Sequence, residues 1–207
     1  MDRVNVGFAA LTMNRELGLS PSVFGFGAGL LFFAFFVFAI PSAVAAERVG
    51  ARWWLFATLF AWGLLSSATA FVHDTAGFYA VRFLLGAAEA GFLPGVVYYL
   101  TLWFPPSRRA HYMAMFLVAG PLAFILGGPL SGAILSVHQF GGLTGWQWLF
   151  VIEGLPTSLL ALAIPIMLPN SPSQAGWLSG AETSCLTERL QRKMWKSIAT
   201  SCERCGT

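Results

Sequence analysis

Arg82 and Glu89 have the side chains best placed to do chemistry, because both lie inside an apolar run, residues 78–95, long enough to cross a bilayer. An ionised group at membrane depth costs from about 3 kcal/mol on insertion scales to more than about 10 kcal/mol in simulations. Such groups persist where they meet a water-filled cavity, an opposite charge or a substrate. The step from 82 to 89 is nearly two helical turns, which puts both side chains on one helix face, roughly 10 Å apart along the axis. That is too far for an ion pair within one helix, so each group must engage another helix or a ligand. The pattern predicts a polar pathway through a membrane, with a buried structural ion pair to another helix as the competing account.

Two other charged groupings stand out. Asp2 and Arg3 open an apolar stretch, 4–13, that is too short to span a bilayer and reads as the far end of a helix. Glu47, Arg48, Gly50 and Arg52 form a tight charged turn between two longer apolar runs. A solvated loop with topology-setting arginines accounts for that turn. The sharper expectation is a cytoplasmic gating latch, whose acid and base hydrogen-bond the end of a neighbouring helix in one conformation and release it in another. Glu153, close to the start of the last apolar run, reads as an interfacial residue.

Other chemistries find little support. Cys202 and Cys205 have the spacing of half a zinc site, but no second pair or histidine follows, so no metal is expected. No glycine-rich phosphate loop occurs, so neither direct ATP use nor a bound cofactor is expected. His138 is the only histidine near the end of the 112–137 run, and no nucleophile motif precedes it, which argues against an intramembrane enzyme. The net charge of +3 needs no nucleic-acid partner, because the basic residues cluster between apolar runs.

The elements that must position these residues are membrane helices. The chain is 57% hydrophobic and 10% charged, against about 25% charged in a soluble domain. Runs at 23–46, 53–72, 78–103, 112–137 and 148–168 each suffice for a span, with 4–13 a partial one. Ser20-Pro21 supplies a cap and a first-turn proline. Ala87, Gly91 and Gly95, and Gly128 and Gly132 with Gly120 nearby, have the small-residue spacing that lets membrane helices approach closely. Arg48, Arg52, Arg108 and Arg109 fall in alternate loops, on the same side as Arg189, Arg192, Lys193, Lys196 and Arg204, whereas the other side holds Arg15 alone. That asymmetry predicts a cytoplasmic C-terminal tail, 169–207, with a short polar helix over 181–196 and partial disorder.

Arg82-Phe-Leu-Leu-Gly86-Ala-Ala-Glu89-Ala-Gly91-Phe-Leu-Pro94-Gly95, followed by Tyr99-Leu-Thr101-Leu-Trp103-Phe104-Pro105, resembles the fourth helix of the major facilitator superfamily, and within it the anion:cation symporters. Asp2-Arg3-Val4-Asn5-Val6-Gly7-Phe8-Ala9 is similar to the end of the first helix. Ile40-Pro41-Ser42 with Arg48-Val-Gly50-Ala-Arg52 is similar to the second helix and its loop, and Gly145-Trp-Gln-Trp-Leu-Phe150 with Glu153-Gly154 to the start of the sixth. The resemblance covers residues 1–180. It implies an all-α membrane protein, the N-terminal six-helix half of a major facilitator fold with its first helix incomplete.

It also implies function: proton-coupled symport of a small organic anion, a carboxylate, across the cell inner (plasma) membrane, with the proton gradient in place of a cofactor. By the resemblance Asp2 and Glu89 carry the coupling proton, while Arg3 and Arg82 hold the anion or tune those acids. An arginine that turns from the acid to a substrate carboxylate would let the acid take up a proton, and guanidinium suits bidentate carboxylate recognition. The chain departs from the family where a Gly-Tyr pair and an acid are usual, at Ala34-Phe35 and Ala39, and it has Glu47 for the loop aspartate and Ala43 for the leading glycine. These changes make the second helix a more apolar wall. The expected partners are the lipid bilayer, the carboxylate and a complementary C-terminal half. A truncated reading frame is expected, inactive in transport by itself. The alternative is a non-transporting membrane subunit that needs a partner chain.

Overall fold

A computed structural model of the chain describes residues 2–136 and 141–171. Among these residues it contains seven α-helices: α1 Asp2–Leu17, α2 Pro21–Val49, α3 Ala51–Thr69, α4 Thr75–Ala90, α5 Phe92–Trp103, α6 Pro106–Leu135 and α7 Gly145–Met167. The polar helix anticipated over 181–196 and all three cysteines lie outside the described residues, as does His138. Four stretches are long and apolar enough to cross a membrane: α2, α4 with α5, α6, and α7. Helix α3 is less apolar, carrying Arg52, three tryptophans and the Ser66-Ser67 pair. It is accommodated by burial between α7, its main neighbour, and α4. Helix α2 packs chiefly on α4.

Local chemistry sets the helix ends. The Ser20 hydroxyl accepts from the Val23 N–H at 3.3 Å, with Pro21 in the first turn of α2. Asp74 accepts from the Gly77 N–H at 2.9 Å and starts α4. At α7, Thr144 and Gln147 form a capping box, and the Gln147 amide also donates to the Ala70 carbonyl at 2.8 Å, joining α7 to the α3–α4 turn.

The span anticipated as one run over 78–103 is two helices that meet at Gly91. Pro94 has no N–H to give the carbonyl of Ala90, which interrupts the ladder at that turn. The indole Nε1 of Trp54 donates to the Gly91 carbonyl at 2.9 Å, so α3 fills the break. A Cβ on Gly91 would lie 2.5 Å from the Thr58 methyl and 3.0 Å from the Trp54 ring, so the break is packed too tightly for any side chain.

The glycines of α6 behave differently from expectation. Gly120, Gly128 and Gly132 have nothing within 4 Å of where a Cβ would sit, so among the described residues they pack against no neighbour. Close helix contact occurs instead where α3 meets α7, at Gly63 and Gly154, and where α2 meets α4, at Gly27 and Gly86.

Candidate functional site

Arg82 is 1% exposed, one turn along α4 from Phe78. Its guanidinium carbon lies 5.3 Å from the centre of the Phe78 ring and 5.6 Å from that of Phe150 on α7. Both are within cation–π range, which suits a planar, weakly hydrated cation. Phe78 and Phe150 belong to a buried cluster that includes Val6, Met13, Ala70, Trp146 and Leu149. This cluster draws α1, α4, α7 and the α3–α4 turn together at one end of the bundle. Trp146 is anchored there, its indole Nε1 donating to Glu16 Oε2 on α1 at 2.6 Å. Arg82 therefore sits beneath an aromatic roof. Glu89, two turns further along α4, is half-buried and lies just before the Gly91 break.

Asp2 and Arg3 open α1, and their side chains lie outside those described. The charged turn lies at the opposite end of the bundle from the aromatic roof. Glu47 and Arg48 are exposed at the end of α2, and the turn itself is one residue, Gly50, with φ +92° and ψ 142°. A contact with a neighbouring helix end is made here through the backbone. The backbone N–H of Arg52, not an acid or base, donates to the Asn170 side chain just beyond α7 at 3.1 Å. The physical reason is that a one-residue turn leaves the first N–H groups of α3 unmatched and gives Gly50 no side chain to cap them. Asn170 supplies that cap from elsewhere in the chain. The Arg52 guanidinium lies 5.5 Å from the Trp53 ring centre.

Two pieces of this geometry, Asn170 and Trp54, had no reading in the sequence, and Glu153 was read as interfacial. Asn170 carried no signal as a cap. Trp54 was one tryptophan among several. Glu153 is half-buried and lines a cavity between α3, α5 and α7. Its position eight residues into an apolar helix was the available signal.

Comparison with known proteins fits this arrangement. The model of the Major Facilitator Superfamily matches residues 1–202. The chain is 49% identical over 190 residues to a protein of Agrobacterium vitis whose name assigns it provisionally to tartrate transport, covering 92% of this chain and 44% of that protein. It is 43% identical over 190 residues to the quinolone resistance transporter of Acinetobacter baumannii, covering 92% and 44%. With the inner membrane transport protein RhmT of Escherichia coli K12 the identity is 42% over 200 residues, covering 97% and 47%. Among solved structures, a bacterial homologue of the human lysosomal transporter Spinster, inward-facing and occupied, aligns with a TM-score of 0.68 at 21% identity, over 83% of this chain and 41% of that one. The chain thus spans less than half the length of these relatives, and its fold corresponds to the N-terminal half of theirs. It is an all-α, multi-pass membrane protein and belongs to the major facilitator superfamily.

Proposed function

We propose that the chain forms the N-terminal half of a proton-coupled symporter for a small organic anion bearing a carboxylate. The observation that carries this reading is a guanidinium, Arg82, held 1% exposed within a membrane-spanning segment. The guanidinium lies within cation–π range of two rings, which help to position it. An arginine that exchanged its present partner for a substrate carboxylate would offer it two parallel N–H donors. Glu89, on the same helix and closer to the break, is the group to which the proton would pass when Arg82 turns to the substrate. Asp2 and Arg3 would complete the set from α1. The relatives named for tartrate and metabolite transport support an organic anion, and the arginine-rich turns support a cytoplasmic tail in an inner membrane.

A complementary half fits the exposed surfaces. In α6 only Gly127 and Ser131 are buried, and the Gly120, Gly128 and Gly132 positions stand open. In α2, Phe36 is 80% and Ile40 77% exposed. The same faces favour, as a second reading, a membrane subunit that works only with a partner chain. The decisive experiment is uptake of labelled tartrate by cells expressing this chain fused to the second half of the Agrobacterium vitis relative. Proton-driven uptake that a protonophore abolishes, and that falls at least a hundredfold in Arg82→Gln, is expected. Uptake untouched by Arg82→Gln or by the protonophore would overturn the assignment.

A further inference from the structure

The end of the bundle that carries the arginines holds an apolar slot. A cavity of about 300 Å³ lies between α3, α5, α6 and α7, at the lower limit of small-molecule sites, about 300–1,000 Å³. Leu55 and Leu59 line it from α3, Val96 and Tyr99 from α5, and Phe116 from α6. Helix α7 runs along it from Leu160 to Leu168. Tyr99 brings the only hydroxyl, and no lining residue is charged, so Arg82, Glu89 and Glu153 are not among them. Eight residues of α7 make about 12 Å of helix, close to the depth of one leaflet, about half of a 30 Å hydrocarbon core. Leu160 is 66% and Met167 68% exposed, so the slot is open along α7 to the surrounding bilayer.

Arginines lie on the slot-lining helix faces, at its outer end. Arg52, Leu55 and Leu59 are spaced i, i+3, i+7 on α3, which is one face, with Arg52 about 4.5 Å beyond Leu55 along the axis. The opposite wall reaches the same residue: Asn170, two positions past Leu168, accepts from the Arg52 backbone N–H at 3.1 Å. The Arg52 backbone is thus satisfied, and its side chain is not. Its Nε is buried and has no hydrogen-bond partner among the described residues. The guanidinium carbon lies 5.5 Å from the ring centre of Trp53, an exposed indole of the kind that sits at membrane interfaces. Arg109 is seven residues before Phe116 on α6, again one face, and bonds the carbonyls of Thr101 and Phe104, just past Tyr99. Arg48 and Arg108 are exposed at the same end, where Glu47 is the one acid among the described residues.

The slot therefore has a positive rim and a hydrocarbon interior. A small carboxylate has no chain to fill that interior, and a neutral apolar molecule leaves the buried Arg52 Nε unsatisfied. An anionic phospholipid does both. A guanidinium takes two phosphate oxygens through parallel N–H groups, and basic pockets between membrane helices are recurrent sites for anionic headgroups. We propose that the slot binds one anionic phospholipid of the bilayer, with its phosphate at Arg52 and one acyl chain between α3, α5 and α7. The site does not depend on the substrate assigned to the carrier. The test uses the 207-residue chain in detergent micelles doped with phosphatidylglycerol or phosphatidylcholine bearing the same two chains. Glycerol 3-phosphate and laurate serve as the head alone and the chain alone, and native mass spectrometry reads what is retained. One phosphatidylglycerol per chain is expected, at least about tenfold preferred over phosphatidylcholine, and neither glycerol 3-phosphate nor laurate should displace it at equal concentration. Arg52→Gln should lose about fivefold of that preference. Ala163→Phe, which fills the slot, should weaken both lipids severalfold and keep the preference. Equal retention of the two lipids, undiminished phosphatidylglycerol in Arg52→Gln, or displacement by the head or the chain alone would overturn the proposal. Should a variant fail to fold, phosphatidylglycerol with a diazirine at its chain end must label slot-lining residues of α3, α5 or α7 in the unaltered chain. Labelling confined to other surfaces would overturn it equally.

Discussion

Replacing Gly154 by alanine tests the packing that holds the bundle together. A Cβ at this position would meet the Ser67 hydroxyl oxygen, and it would lie 2.6 Å from the Ser67 backbone nitrogen in the last turn of α3. Ordinary contact begins at 3.4 Å, so the deficit is 0.8 Å. A side chain could rotate away, but a backbone amide inside a helix cannot. The two helices must therefore separate along the seam where their contact is most extensive. A radial gap of about 0.5–1 Å forfeits a quarter to a half of each dispersion contact, and overpacking of this kind costs about 1–3 kcal/mol. The helix-propensity gain of alanine over glycine, about 0.5–1 kcal/mol, offsets only part of this. A net loss of about 1 kcal/mol follows, or a Tm lower by about 2–4 °C for a chain of this size. Gly132→Ala is the control, because its Cβ would enter open space and should be neutral or slightly stabilising. Reversible unfolding in mixed detergent micelles, followed by tryptophan fluorescence, measures both. If Gly154→Ala falls within about 0.5 kcal/mol of Gly132→Ala, α3 and α7 do not meet backbone to backbone and the reasoning fails.

The remaining predictions probe the two ends of the bundle and its completeness. Asn170→Ala removes the cap on the Arg52 N–H, so exchange of that amide should speed about fivefold, a loss of about 1 kcal/mol; unchanged exchange would show that water caps it as well. Arg109 donates from Nε to the Phe104 carbonyl at 2.8 Å and from Nη2 to the Thr101 carbonyl at 3.1 Å, holding the last turn of α5. Arg109→Lys cannot reproduce that fork and should cost about 1 kcal/mol in the same unfolding assay. A double-mutant cycle of Trp146→Phe with Glu16→Gln should give a coupling of at least about 1 kcal/mol, and additivity would exclude the indole–carboxylate bond as a tie between α1 and α7. Vesicles holding only this chain should show no flux of labelled tartrate above empty vesicles, and measurable flux would refute the need for a second half.

The spans were legible because the bilayer imposes a coarse rule: about twenty apolar residues, charges in the loops and turn chemistry between them. Ser20-Pro21 marked a helix start for the same reason, since capping depends on a few neighbouring residues. What the residues alone did not disclose depends on which helix faces which. Gly91 and Pro94 stood in view, yet continuous hydropathy across 78–103 outweighed them, and the break holds its shape through Trp54, 37 positions away. The glycines of α6 have the spacing of a packing motif without a described neighbour, whereas Gly63 and Gly154, each four residues before a serine (Ser67 and Ser158) and not singled out in the sequence, are the ones pressed together. Spacing within a helix reports a face, and only the partner decides whether that face is used. The charged turn between α2 and α3 shows the same division. Its glycine turn was readable, but the group that engages it is an asparagine 118 residues later. Arg82 stood out as a charge inside an apolar run and is buried, whereas Glu153 was read from its nearness to a loop and is half-buried beside a cavity. Depth along an axis follows from counting residues, and Glu153 is about two turns in. What counting does not supply is the cavity beside it, because that space is made by α3 and α5 and not by the helix carrying the charge.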